Sequence, residues 1–145
     1  VPLKVGVLMG GPSEEKEVSI ATGKAVIKAC AENGYVATEF SFDTNYKKYL
    51  KELEKQNIIF NALHGGIGEN GKIQAWLDEN NIKYTGSGAF SSSLCMDKAA
   101  SKEIAKRNGI ETPDWQLIKK IDQEVKMTLP FVVKPNDQGS TVGLS

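Results

Sequence analysis

Apolar runs alternate with amphipathic stretches along much of this chain, and this alternation constrains the fold more than any other feature. Strands are predicted at residues 3–9, 36–42, 58–63 and 83–85, and helices at 15–32, 46–55 and 72–80. Several of the apolar runs end in glycine-rich loops. The pattern predicts an α/β fold, in which a Rossmann-like parallel sheet carries helices on both faces.

The pattern changes near residues 95–100. Residues 97–108 are predicted to form an amphipathic helix closed by Gly109, and strand-like runs follow at 115–118 and 131–134. We therefore expect residues 1–95 to form one αβ domain. Residues 96–145 would begin a second domain that is incomplete in this sequence.

The composition excludes several classes of partner and site. The chain has 18 basic and 18 acidic side chains, so it offers no electrostatic case for nucleic acid or an anionic membrane. Its apolar runs are too short to span a membrane, and its N-terminal residues lack a signal-peptide layout. Cys30 and Cys95 are isolated and are expected to be reduced thiols, and the single histidine, His64, excludes a multi-histidine metal site.

The loop after the first predicted strand carries three glutamates at a helix entrance. Gly10 and Gly11 open this loop, and Glu14, Glu15 and Glu17 follow. The motif is not GxGxxG, and its carboxylates would repel a pyrophosphate. Two interpretations stay open: the acidic groups favour the helix N-terminus, or one carboxylate pairs with a substrate ammonium at the carboxyl edge of the sheet.

A second loop follows the third predicted strand and contains four glycines among residues 64–71. So many glycines cost conformational entropy on folding, so they are unfavourable in a segment with no specific role. A mobile connector is one interpretation. The sequence favours a tight loop that presents His64 beside Glu15, since both loops follow strands of the same parallel sheet.

Two later segments suit anion binding. Lys98 lies near the start of the helix predicted at 97–108, and Lys134 ends an apolar run before the glycines Gly139 and Gly143. Glycines let a backbone approach a phosphate, and a lysine neutralises its charge. The alternatives are an ordinary solvated lysine and a solvated hairpin turn. No strand follows Ser145, so the last segment looks like half of a hairpin.

Together and in this order, these segments resemble the D-alanine–D-alanine ligases of the ATP-grasp superfamily. The resemblance runs through essentially the whole chain and is carried by GGPSEEKEVS, HGGIGENG, YTGSG, MDK and VVKP followed by GSTVG. It implies that ATP phosphorylates the carboxylate of one D-alanine. The amine of a second D-alanine then displaces the phosphate, giving the dipeptide used in peptidoglycan.

The resemblance also implies roles for particular residues. Glu15 matches the glutamate that holds the first ammonium, Val18 a residue lining the methyl pocket, and His64 a histidine near the reacting carboxyl group. Ser140 matches a serine hydrogen-bonded with that glutamate. The ATP-binding positions are Lys98, Lys134, Gly139, Ser140, Thr141 and Val142.

Some positions depart from the family pattern, namely Asn70, Ala75 after Gln74, and Thr141. The family's Mg²⁺ ligands belong to a C-terminal portion that this sequence does not contain, so the 145-residue chain is expected to be inactive alone. The resemblance further implies a cytoplasmic homodimer that binds neither nucleic acid nor membranes. Two alternatives stay open: a related ligase making D-alanyl-D-lactate, and a non-catalytic αβ module that binds a small ligand or nucleotide.

Overall fold

The computed structural model describes residues 1–139, 143 and 145. The elements, in chain order, are β1 (Lys4–Gly10), α1 (Lys16–Glu32), β2 (Val36–Phe42), a 3-10 helix (Tyr46–Tyr49), α2 (Leu50–Leu53), β3 (Ile58–Asn61), α3 (Gly66–Glu69), α4 (Lys72–Glu79), α5 (Ala89–Met96) and α6 (Lys98–Arg107). The chain divides into two compact units, Val1–Ser93 and Leu94–Ser145. The first carries the sheet.

The sheet is parallel, with β1 between β2 and β3. Tyr84 adds a single parallel bridge to Ile59, where a short strand was predicted. The central strand β1 is buried along nearly its whole length, as expected for a strand covered on both faces. The predicted α/β class and parallel sheet are confirmed.

The two faces of the sheet hold separate apolar clusters, because side chains alternate along β1. Val5, Val7 and Met9 pack with Cys30, and partly buried side chains of α1 join this cluster. On the opposite face, Leu8 packs with aromatic and aliphatic side chains of β2, α2, β3 and α4. The helices therefore cover both faces, as predicted.

Gly23 shows how closely α1 approaches the sheet. A β-carbon at this position would lie 2.7 Å from the β-carbon of Met9. The glycine therefore removes a side chain that the helix–strand contact has no room for. This confirms the close packing that a glycine inside a predicted helix suggests.

The predicted secondary structure differs from the observed in several places. The helix predicted at 46–55 is a 3-10 turn followed by α2, and the sequence did not predict α3 or α5. Residues 115–118 do not form a strand. Their segment is joined to residues 123–126 through side chains instead: Gln116 Nε2 donates to the Glu124 carbonyl, and its Oε1 accepts from the Lys126 amide.

The second unit has little core of its own. None of its described residues is fully buried, and several of its large apolar side chains are exposed. Val133 and Ser145 exchange both backbone hydrogen bonds, at 2.8 and 3.0 Å. This reciprocal pairing is the antiparallel pattern, although residues 131–134, predicted as a strand, are not part of one.

Candidate functional site

Two loops meet at the carboxyl edge of the sheet. The first follows β1, and there Gly10 and Gly11 both adopt a φ of +85°. This conformation is strained for other residues. The Gly11 amide donates to the Phe42 carbonyl at 2.9 Å, which turns the chain sharply across the end of the sheet.

Two serine hydroxyls fasten this loop to the segment after β3. Ser13 Oγ donates to the His64 carbonyl at 2.6 Å and accepts from the Glu15 amide at 3.3 Å. The fully buried Ser19 hydroxyl accepts from the Gly10 amide at 2.9 Å and donates to the Ala62 carbonyl at 2.7 Å. Two of these four hydrogen bonds, from Ser13 to His64 and from Ser19 to Ala62, join the two segments.

Glu15 stands at the N-cap position of α1, yet its side chain makes no capping hydrogen bond. Its carboxylate lies against Gly65 instead, so close that a β-carbon on Gly65 would be 2.5 Å from Glu15 Oε2. A carboxylate that served the helix end would turn toward the free amides of the first turn. The geometry therefore favours the second interpretation of this glutamate, a carboxylate directed into the cleft.

His64 follows β3, and each of its ring nitrogens faces a polar side chain. Its Nε2 lies 3.0 Å from the Thr22 hydroxyl on α1, and its Nδ1 lies 3.7 Å from Glu69 Oε1. Because Ser13 bonds to the His64 carbonyl and Glu15 touches the next residue, Gly65, the structure brings Glu15 and His64 into one site. The roles predicted for these two side chains stay predictions.

The loop of residues 64–71 contains a short helix and is held by side-chain hydrogen bonds. Residues Gly66–Glu69 form α3, and the Gly68 carbonyl accepts from Asn61 Nδ2 at 3.0 Å and from Gln74 Nε2 at 2.8 Å. Gln74 is buried, so its amide is committed to this contact. The structure thus favours a tight loop over a mobile connector.

Val18 lies one turn beyond Glu15 on α1, and about half of its surface is exposed. This spacing places both side chains on the same face of the helix. An exposed valine beside a carboxylate is compatible with the predicted apolar wall of a small pocket.

In the second unit, Lys98 is tied to the segment before Gly139. Its ammonium donates to the Gln138 carbonyl at 2.7 Å, and its backbone amide donates to the Asn136 carbonyl at 3.0 Å. Lys134 is exposed, and Gly139 follows the segment that Lys98 holds. Ser140, Thr141 and Val142, three of the predicted site residues, lie outside the described residues.

Asp97 begins α6 with an N-cap contact that Glu15 lacks. Its carboxylate accepts from the Ala100 amide at 2.9 Å. That amide, followed by the Asn136 side chain, holds the pKa of Asp97 below its ordinary value. The cap orients the helix that carries Lys98.

The described residues include neither a metal-binding cluster nor a membrane-spanning helix. No group of three or more histidine, cysteine, aspartate or glutamate side chains there could hold a metal ion. Over the same residues, no helix combines the length and apolarity that crossing a bilayer requires.

Several residues of this site were not predicted: Ser13, Ser19, Thr22, Asn61, Glu69 and Gln74. The contacts of Ser13, Ser19 and Thr22 with the segment after β3 join positions more than 40 residues apart. The available signal was position alone. Ser13 and Ser19 lie within the glutamate-rich segment of residues 10–19, and Glu69 and Gln74 lie in or beside the glycine-rich loop.

Comparison with known proteins shows that this chain is similar to D-alanine–D-alanine ligases. The family profile described as "D-ala D-ala ligase N-terminus" matches residues 32–87. The D-alanine–D-alanine ligase of Pelotomaculum thermopropionicum is 43% identical, with 99% of this chain and 48% of that protein covered. The Thermotoga maritima ligase is 40% identical over 98% of this chain and 46% of its own length.

Solved structures give the same result. The crystal structure of the D-alanine–D-alanine ligase from Bacillus anthracis has a TM-score of 0.88 and 38% identity, covering 99% of this chain and 48% of that one. The same ligase complexed with ATP has a TM-score of 0.80 and 39% identity, over 94% and 48%. This chain spans about half the length of the curated relatives it matches.

Proposed function

Because the chain belongs to the D-alanine–D-alanine ligase family, we propose that it takes part in the ATP-dependent joining of two D-alanines. The carrying observation is the carboxylate of Glu15, which leaves its helix N-terminus uncapped and lies against Gly65, beside His64. A carboxylate in that place suits the ammonium of a small amino acid. The ATP complex of the Bacillus anthracis ligase supports ATP as the co-substrate.

The proposed reaction has two steps. The carboxylate of the first D-alanine attacks the γ-phosphorus of ATP, and ADP leaves with the electron pair of the broken bond. The amine of the second D-alanine then attacks the acyl carbon. Phosphate departs as the C–O bond breaks, and the amine loses a proton, which leaves D-alanyl-D-alanine for use in peptidoglycan.

In the first unit, the proposed work is binding and orientation. Glu15 holds the first ammonium, which decides which end of the amino acid is available for phosphorylation. Val18 lines the space for the methyl group, and His64 lies near the reacting carboxyl group. The hydroxyl contacts of Ser13 keep these groups in register.

In the second unit, the proposed work is binding ATP. Lys98 and Lys134 supply positive charge for the phosphates, and residues 139–142 supply backbone amides. Such groups stabilise the charge that gathers on a transferring phosphoryl group. Mg²⁺ belongs to the proposal for the family, but the described residues offer no cluster to hold it, so no step through the metal is assigned to this chain.

The same proposal implies a cytoplasmic enzyme, in the compartment that supplies ATP, acting as a homodimer. Both follow from the resemblance to the family.

The test is Glu15→Gln in the full gene product, with D-alanyl-D-alanine and phosphate as readouts. The substitution keeps the shape and removes the charge, so the KM for the first D-alanine is expected to rise about ten- to hundredfold, while the KM for ATP stays near its original value. The matched control is Glu17→Gln, which removes the same charge two residues further on, in the first turn of α1. Equal effects of the two variants would show that Glu15 only supports the helix. Offering D-lactate as the second substrate separates the dipeptide from the depsipeptide product.

A further inference from the structure

One side chain of α1 contacts the imidazole without belonging to the motifs that marked the site. Thr22 lies two turns beyond Glu15 and one turn beyond Val18, so the three share a face of the helix. Its half-buried hydroxyl lies 3.0 Å from His64 Nε2, across 42 positions of sequence. The distance is that of an ordinary hydrogen bond.

This contact has two possible proton arrangements. Either the hydroxyl donates to an unprotonated Nε2, or a protonated Nε2 donates to the hydroxyl oxygen. In a neutral ring, the choice also decides whether Nδ1 carries the second proton or a lone pair.

Glu69 distinguishes the two arrangements. Its Oε1 lies 3.7 Å from His64 Nδ1. A proton on Nδ1 would face the carboxylate favourably, whereas a lone pair there would face it unfavourably. Within the part of the chain that the structure describes, His64 Nε2 is also the only hydrogen-bond partner of the Thr22 hydroxyl. That hydroxyl proton is therefore free to be donated to the ring.

We propose that Thr22 is a positioning residue that donates to His64 Nε2 and so holds the neutral imidazole in its Nδ1–H tautomer, turned toward Glu69. Its consequence for catalysis rests on the function proposed above. With Nε2 occupied, the Nδ1–H, which at 3.7 Å is beyond hydrogen-bonding distance of Glu69, is the N–H left for a bound substrate. A donor of fixed direction stabilises charge developing on an acyl oxygen better than a ring free to rotate.

The first experiment needs no enzyme activity. Because His64 is the only histidine, the ¹⁵N-labelled chain gives a single set of imidazole signals. Nitrogen shifts are measured above the titration range of the ring. We expect a protonated Nδ1 and an unprotonated Nε2 in the unsubstituted chain and in Thr22→Ser, with loss of this preference in Thr22→Val. An unsubstituted chain with its proton on Nε2, or with averaged nitrogen shifts, would overturn the proposal without reference to any variant.

The second experiment measures the reaction in the full gene product. Thr22→Val is expected to lower kcat/KM for the first D-alanine about two- to tenfold, the range for one lost hydrogen bond, with the KM for ATP unchanged. Thr22→Ser is expected to restore the value, because it retains the hydroxyl. Thr38→Val, on the exposed part of β2, is the matched control and is expected to have no effect.

The two experiments separate two kinds of failure. If Thr22→Val changes the tautomer and leaves the kinetics intact, the positioning role is refuted. If the unsubstituted gene product makes no D-alanyl-D-alanine, the proposed function is refuted, and the nitrogen shifts still decide the tautomer.

Discussion

Replacing Gly65 with alanine tests the contact on which the proposed site depends. Gly65 has a φ of 64° and a ψ of 174°, a combination that is essentially restricted to glycine. Placing another residue there costs about 1–3 kcal/mol of the free energy of unfolding. The added β-carbon would also lie 2.5 Å from Glu15 Oε2, although ordinary contact begins at 3.4 Å.

The carboxylate must therefore withdraw by roughly 0.9 Å, the difference between those two distances. A misplacement of about 1 Å in a positioned group costs on the order of 100-fold in rate. Part of this loss is recovered if Glu15 changes rotamer, so we expect kcat/KM for the first D-alanine to fall about 10- to 100-fold. The KM for ATP is expected to remain close to that of the unsubstituted protein.

Gly66→Ala is the matched control. Gly66 also has a positive φ, 45°, but a β-carbon there would meet nothing closer than Ser13 Cβ, at 3.7 Å. Both variants are expected to be less stable in urea unfolding, whereas only Gly65→Ala is expected to have a raised KM for D-alanine. Equal KM values for D-alanine in the two variants would refute the reasoning, since the displacement of Glu15 would then have no consequence for binding.

Two further outcomes are expected. Lys98→Ala raises the KM for ATP about tenfold or more, because a charged donor beside residues 136–139 is lost. The control, Lys102→Ala, leaves the KM for ATP unchanged, because among the described residues its ammonium contacts only the Pro113 carbonyl. Unaltered ATP kinetics for Lys98→Ala would place the phosphate site elsewhere. Gly23→Ala lowers the free energy of unfolding by up to about 2 kcal/mol, because overpacking against Met9 costs about 1–3 kcal/mol and helix propensity returns about 1 kcal/mol. Thermal unfolding measures the change in stability. Gly88→Ala is the control, because the atom nearest to an added β-carbon there is 4.0 Å away. A stabilised Gly23→Ala would show that Met9 moves aside freely.

The sequence predicted the elements whose signals are local. The bounds of β2 match the prediction, and α1 and α6 each begin within a residue or two of it. Hydrophobic periodicity is a property of a short stretch of sequence, so it predicts a helix or strand without knowledge of the fold. The strand predicted at 115–118 is wrong for the same reason: an apolar window says nothing about whether a partner strand lies beside it.

For the site, the position of Glu15 and His64 after strands of one parallel sheet predicted that they lie close together. It did not reveal the residues that hold them. Thr22 contacts His64 across 42 positions, and Ser13 contacts it across 51. Serine and threonine are common at helix starts and on helix faces, so neither type nor position marked them before the contacts were known.

The two units hold their proposed ligand groups by different means. In the first, Glu15 and His64 stand at the edge of a sheet whose core residues, such as Leu8 and Ile59, are fully buried. In the second, Lys98 is held by backbone carbonyls and by the cap of Asp97, with no fully buried residue among those described there. Local opening is easiest where buried apolar contacts are few. The proposed ammonium site therefore belongs to the more rigid framework, and amide exchange around Lys98 is expected to be faster than along β1.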